Sequence, residues 1–226
     1  MFGNTGGFPI GLVLFGMIAA FLVLRLRSIL GRRTGFERPP ELRPDLRRRL
    51  FGGGVIEGKA EPAAEPSKPA RILPDPVSPP GQALARMRGV DRSFDPARFL
   101  DGAEAAFRMI VTAFAAGNRA ALKPLLSEDT WRAFDLAITA REQAGETQRT
   151  EVKAINAATI EAADLRGSIA DITVRFVSDQ INVTLGRDSH PVAGTDALTE
   201  IADVWIFERD LASGDPSWRL VSARSA

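Results

Sequence analysis

The 226-residue chain has no cysteine, no tyrosine and a single histidine, His190. Without thiols there can be no disulfide, no thiolate metal ligand and no cysteine nucleophile. The missing phenol removes a common proton donor of acid–base sites. One imidazole cannot make the clustered ligand set of a zinc site. His190 itself sits in Asp188-Ser189-His190-Pro191, a loop-like run with no recognisable nucleophile or orienting group beside it, so a relay converging on it is not expected. The residues point to no cofactor, no metal and no catalytic group.

Charge is missing from residues 1–24, and residues 10–24 contain nothing more polar than glycine. A bilayer core needs about 20 apolar residues, and basic residues beside one end mark the cytoplasmic side. Arg25, Arg27, Arg32 and Arg33 follow at once. Residues 1–27 therefore read as a single-pass anchor in a cell inner membrane, with the rest of the chain cytoplasmic. A cleaved signal peptide would carry its positive charges before the apolar run and small residues at a cut site after it; a transit peptide would be basic and amphipathic from its start. A buried core helix stays open, because Pro9, Gly11 and Gly16 weaken the segment.

The near-neutral composition conceals two regions of opposite sign. Residues 25–50 hold nine arginines against three acids, whereas residues 51–226 hold 20 basic and 25 acidic side chains. Each basic group beside an anionic lipid surface is worth about 1 kcal/mol, so residues 28–51 form a candidate second membrane contact. Arg43, Arg47, Arg48 and Arg49 are its candidate binding residues, beside Leu42, Leu46 and Leu50 at four-residue spacing. Pro44 argues against a long helix, and a solvated basic tether is the alternative. Nucleic acid is not an expected partner, since only Phe36 and Phe51 are at hand to stack on bases.

Residues 52–91 read as an unstructured linker. Seven prolines fall between Glu61 and Pro80 among Ala, Glu, Lys and Ser, a composition unable to bury enough surface to order itself. Its flexible reach would be about 35 Å. Gly52-Gly53-Gly54 lacks the Gly-Lys-Ser/Thr of a phosphate loop.

Residues 92–226 have the pattern and length of one globular domain. Asp95 and Pro96 can open a helix whose apolar face is Phe99, Ala103, Phe107, Ile110 and Phe114, ended by Gly117. Arg98, Asp101, Glu104 and Arg108 lie on its other face, expected to be solvated, with Glu104 and Arg108 spaced as an ion pair. Asn118 and Ser127 start two further helices, the second carrying Trp131, Phe134 and Ile138. Beyond Gly145 the period shifts towards two. Residues 169–177 alternate as a half-buried strand, residues 152–163 suggest a bulged strand, and residues 198–209 and 218–223 give two more around a turn at Ser213-Gly214-Asp215-Pro216. The expectation is an α+β domain in which a curved antiparallel sheet folds round the leading helix and encloses an apolar hollow.

The run Asp203-Val-Trp205-Ile-Phe207-Glu-Arg209-Asp, followed by Asp215-Pro216-Ser-Trp218-Arg-Leu220, resembles the C-terminal signature of the Tim44-like domain family. Ala113-Phe114-Ala115-Ala116-Gly117-Asn118, with Leu122 and Leu125-Leu126, is similar to that family's first helical hairpin. The arrangement of anchor, proline-rich spacer and domain is similar to bacterial members of the TimA type. The resemblance implies a cone-shaped domain related to the nuclear-transport-factor fold and used for docking. It also implies partners among translocon, chaperone or assembly proteins, together with acidic lipid. A carrier of lipid or another small apolar ligand is the alternative, followed by an isomerase or hydrolase built on the same cone. Asp203, Trp205 and Arg209 are the candidate binding residues on the domain, and oligomeric state is not legible.

Overall fold

The computed structural model describes residues 69–226. The anchor, the basic segment with its four candidate arginines and the first part of the proline-rich spacer, residues 52–68, lie outside the described residues. Among the described residues no helix is long and apolar enough to cross a membrane.

A short strand β1 (Ala70–Ile72) comes first, then helices α1 (Pro79–Val90), α2 (Pro96–Ala115) and α3 (Arg119–Leu122), a 3-10 turn (Lys123–Leu125) and helix α4 (Glu128–Ala144). Strands β2 (Thr147–Arg166), β3 (Ile169–Leu185), β4 (Pro191–Asp210) and β5 (Arg219–Ser225) complete one sheet in the order β1-β2-β3-β4-β5. Helices packed on one curved sheet make the fold α+β, as expected.

The helix starts follow from local chemistry. Asp95 Oδ1 accepts from the Ala97 and Arg98 amides at 2.9 Å, Asn118 Oδ1 from Ala121 at 3.1 Å, and Ser127 Oγ from Thr130 at 3.3 Å. Each side chain satisfies a donor that the first helical turn leaves open. Gly145, at φ 70°, closes α4 in the left-handed conformation that glycine adopts without a Cβ penalty.

Two expectations about the spacer and the sheet are corrected. The order predicted to begin near Asp91 already includes β1 and α1. Ser78 caps α1 ahead of Pro79 and Pro80, which need no amide partner in a first turn, and Ala83, Leu84 and Met87 bury one face. The sheet is mixed, not purely antiparallel, because β1 pairs with β2 in parallel while the other neighbours are antiparallel.

Along β3, Ala170, Ile172, Val174, Phe176, Ser178 and Gln180 alternate onto the buried face. Register shifts in β2 after Val152, Ile155 and Ile160 bend the sheet around α2, since a bulge raises local twist and curvature. The expected hollow is filled. Phe107 of α2 lies 4.6 Å from the ring centre of Phe176 and 4.7 Å from that of Trp205, while Phe99 makes an edge contact with Phe207 at 5.9 Å and packs on Trp218 at 4.8 Å. Phe107, Phe176 and Phe207 are fully buried. Aromatic rings of this size occupy the space that smaller side chains on a curved sheet would leave open.

Candidate functional site

The three site residues expected on the domain do not converge. Trp205 is a correction: its ring is 5% exposed and packs against Phe107, Phe176 and Phe207, so it is a core residue and no part of a binding rim. Strand alternation turns it inward beside Val174, its cross-strand partner.

Arg209 ties loops together. Its Nη2 is 3.1 Å from Asp91 Oδ2, with both side chains about one-eighth exposed, and its Nε donates to the Asp215 carbonyl at 3.2 Å. The N–H is not aligned on Asp91 Oδ2, which has no hydrogen bond, so this contact is an ion pair without a directed bond. Oδ1 of Asp91 accepts from the Ser93 amide and hydroxyl at 2.8 and 2.6 Å. These hydroxyl and amide bonds, followed by the Arg209 charge, hold the Asp91 carboxyl below its usual range. The α1–α2 connection is thereby fixed to the β4–β5 turn.

Asp203 is half-buried where the concave face of the sheet changes from apolar to polar. Its register partners are Phe176 on β3 and Ser225 on β5. Burial pushes its carboxyl up to about 6, against a smaller opposing effect of Gln180, which donates to it. Gln180 Nε2 also donates to Ser178 Oγ at 2.9 Å, and both of those side chains are buried. Further along the same face, Thr150 and Gln148 both donate to Asn182 Oδ1, at 3.1 and 3.2 Å. Arg141 of α4 donates to Gln148, and through Nη2 to the Phe114 and Ala115 carbonyls at 2.8 and 3.1 Å, closing the end of α2. This polar strip was missed in the sequence because Ser178 and Gln180 continue the apolar alternation of β3 with polar residues.

The face of α2 expected to be solvated holds a second missed cluster. Glu104 is buried, and it pairs with Arg71 of β1, not with Arg108. Arg71 Nε donates to Glu104 Oε1 at 3.0 Å and its Nη2 pairs with Asp101. Arg108 reaches the Val152 carbonyl instead, at 3.1 Å. The partner of Glu104 could not be read because Arg71 falls in a stretch whose prolines signal no structure.

Two open depressions mark the surface. One, of about 470 Å³, is lined by Arg88, Arg92, Ser93, Phe94, Asp95 and Arg98; the other, of about 460 Å³, lies among Lys123, Pro124, Leu126, Trp131 and Arg219. His190 stands exposed in the β3–β4 turn, with Asp188 at 3.2 Å as its only ionic neighbour among the described residues. Among the described residues no group of three or more His, Asp or Glu could hold a metal ion.

No curated protein matches the chain in sequence. Among solved structures, the intermembrane space region of the chloroplast protein ARC6 is similar at 10% identity with a TM-score of 0.44, over 58% of this chain and 97% of that one. The family model described as Tim44-like domain matches residues 81–225. That span takes in the helices from α1 onwards and all four long strands, including the Trp205 and Trp218 segments that carry the sequence resemblance, and the chain therefore belongs to the Tim44-like domain family.

Proposed function

We propose that the chain is a non-enzymatic, membrane-anchored adaptor whose domain docks protein partners on its outer surface. The observation that carries this reading is the filled interior: Phe107, Phe176, Trp205 and Phe207 occupy the volume that a carrier or an enzyme of this shape would keep for its ligand. Recognition is then left to surface features, among them the two depressions and the exposed side chains of Leu136 and Leu198. The uncharged N-terminal run would hold the domain at an inner membrane from the cytoplasmic side, and confinement there raises the effective concentration of whatever the domain binds. Arg43, Arg47, Arg48 and Arg49 would add contact with acidic lipid. Translocon, chaperone or assembly proteins are the partner classes suggested by family membership.

Purification of the full chain from solubilised membranes tests this. Reproducible protein companions support it; a native mass spectrum dominated by a bound apolar molecule overturns it in favour of a carrier. A second reading rests on Asp203, whose half-buried carboxyl with a pKa of about 6 has the character of a proton-transfer group. Substrate turnover abolished by Asp203→Asn, in a protein whose fold is intact, would establish that reading instead.

A further inference from the structure

Strand β1 adds only three residues to the outer edge of β2: Ala70 opposite Ala157, Arg71 opposite Ala158 and Ile72 opposite Thr159. All three are exposed, and Ile72 keeps half its surface in water, so almost no apolar burial holds the strand. Pro69 directly precedes it and Pro74 follows its end after one intervening residue, and a residue without an N–H cannot donate to the ladder, so the strand stays short. Its one specific anchor is Arg71, whose guanidinium reaches two acids of α2. Glu104 has a side chain only 12% exposed, and Asp101 stands one turn away on the same face. A short strand of this kind, inserted through one charged side chain beside an open edge, has the form of a peptide ligand in a strand-addition site.

We infer that the β2 edge at Ala157–Thr159, with Asp101 and Glu104, is a docking slot for an extended peptide segment of another protein bearing an arginine between small or aliphatic residues, and that β1 is the built-in occupant which such a partner displaces. The inference rests on the adaptor reading and names the chemistry of the partner. Charge complementarity selects the occupant. A segment lacking the central cation would leave the Glu104 carboxylate without its partner in a site largely closed to water, and a buried charge is tolerated only when paired. The backbone ladder supplies sequence-independent affinity, and the acid pair sets the register. Tethering places β1 at high local concentration, so the slot is closed until a competitor is itself held close.

The test uses the full chain in detergent and a dye-labelled synthetic peptide of residues 66–76. In the R71E chain the new carboxylate faces Asp101 and Glu104 and expels β1. That chain should bind the peptide at least tenfold more tightly than the unchanged chain, and a peptide with Glu in place of Arg71 should bind neither. In the R71E/E104K chain the exchanged charges re-close the slot and binding should fall back. Equal affinity of the first two chains, tight binding of the Glu-bearing peptide, or no binding by the opened chain overturns the proposal. If hydrogen exchange shows that R71E loses protection across β3 as well, R71A, which removes the guanidinium without adding repulsion, carries the same comparison. The assay needs neither membrane nor cellular partner, so its outcome is separable from that of the adaptor reading.

Discussion

Replacing Asp203 by asparagine should stabilise the domain at pH 8 and leave its stability unchanged at pH 3.5. The carboxyl is held at about 6 in the folded chain, chiefly by burial, against 3.8 as the ordinary value. A raised acid penalises the folded state once it ionises. Below about pH 4 it is protonated in both states and costs nothing. Between about 4 and 6 the folded chain retains a proton that the unfolded chain has released, so stability falls as pH rises, and above about 7 the loss is complete. Roughly two units at 1.36 kcal/mol each give about 3 kcal/mol as an upper bound. Because the group keeps some contact with water, about 1–2 kcal/mol is the expected gain from an asparagine that can still accept from Gln180. Urea unfolding of both chains across pH 3.5–8 measures it. A gain of equal size at every pH, or a loss at pH 8, would refute the assignment of burial as the cause.

Phe107→Ala removes the ring that touches Phe176 and Trp205 and should cost about 3–5 kcal/mol in urea unfolding, with a cavity that takes up xenon or a small aromatic. A cost below about 1 kcal/mol would mean that the interior is loosely filled after all. Arg209→Met should lower the urea midpoint more than Arg209→Lys, and the loss should persist in 0.5 M salt because the partner Asp91 oxygen is enclosed; a loss cancelled by salt would make the pair an ordinary surface contact. Gly194→Ala forces a Cβ into the left-handed backbone at φ 72° and against the Asn182 carbonyl, and should destabilise the β3–β4 arm by about 1–2 kcal/mol or more, seen as faster amide exchange there. Deleting residues 1–24 should release the protein to the soluble fraction; retention at the membrane would show the anchor assignment to be wrong or redundant.

The parts of the fold governed by local chemistry were legible in the sequence. Asp95-Pro96, Asn118, Ser127 and Gly145 each solve a helix-end problem within a few residues, and the structure uses all four. Strands β2 to β5 were read in the right places but too short, for instance because β3 continues beyond Val177 with Ser178 and Gln180 inward, which carry no hydrophobic signal, and β1 was not read at all. Helix α1 had a readable start at Ser78-Pro79, yet the surrounding prolines outweighed it. The site was less legible. Trp205 shares the alternation of Phe207 and belongs to the core for the same reason, whereas pairs such as Arg71 with Glu104 or Arg209 with Asp91 join residues 33 and 118 positions apart, and no spacing rule reaches that far. Whether a curved sheet leaves a hollow depends on the ring volumes that meet inside it, which only the assembled packing decides.

The central claim is that a solid domain held at a membrane works through its outside. Photocrosslinking in intact membranes from positions 136 and 198, both exposed leucines in the folded domain, tests it most directly. The account predicts reproducible protein adducts that vanish when residues 1–24 are removed; adducts with lipid alone, or identical adducts from the chain lacking those residues, would contradict it.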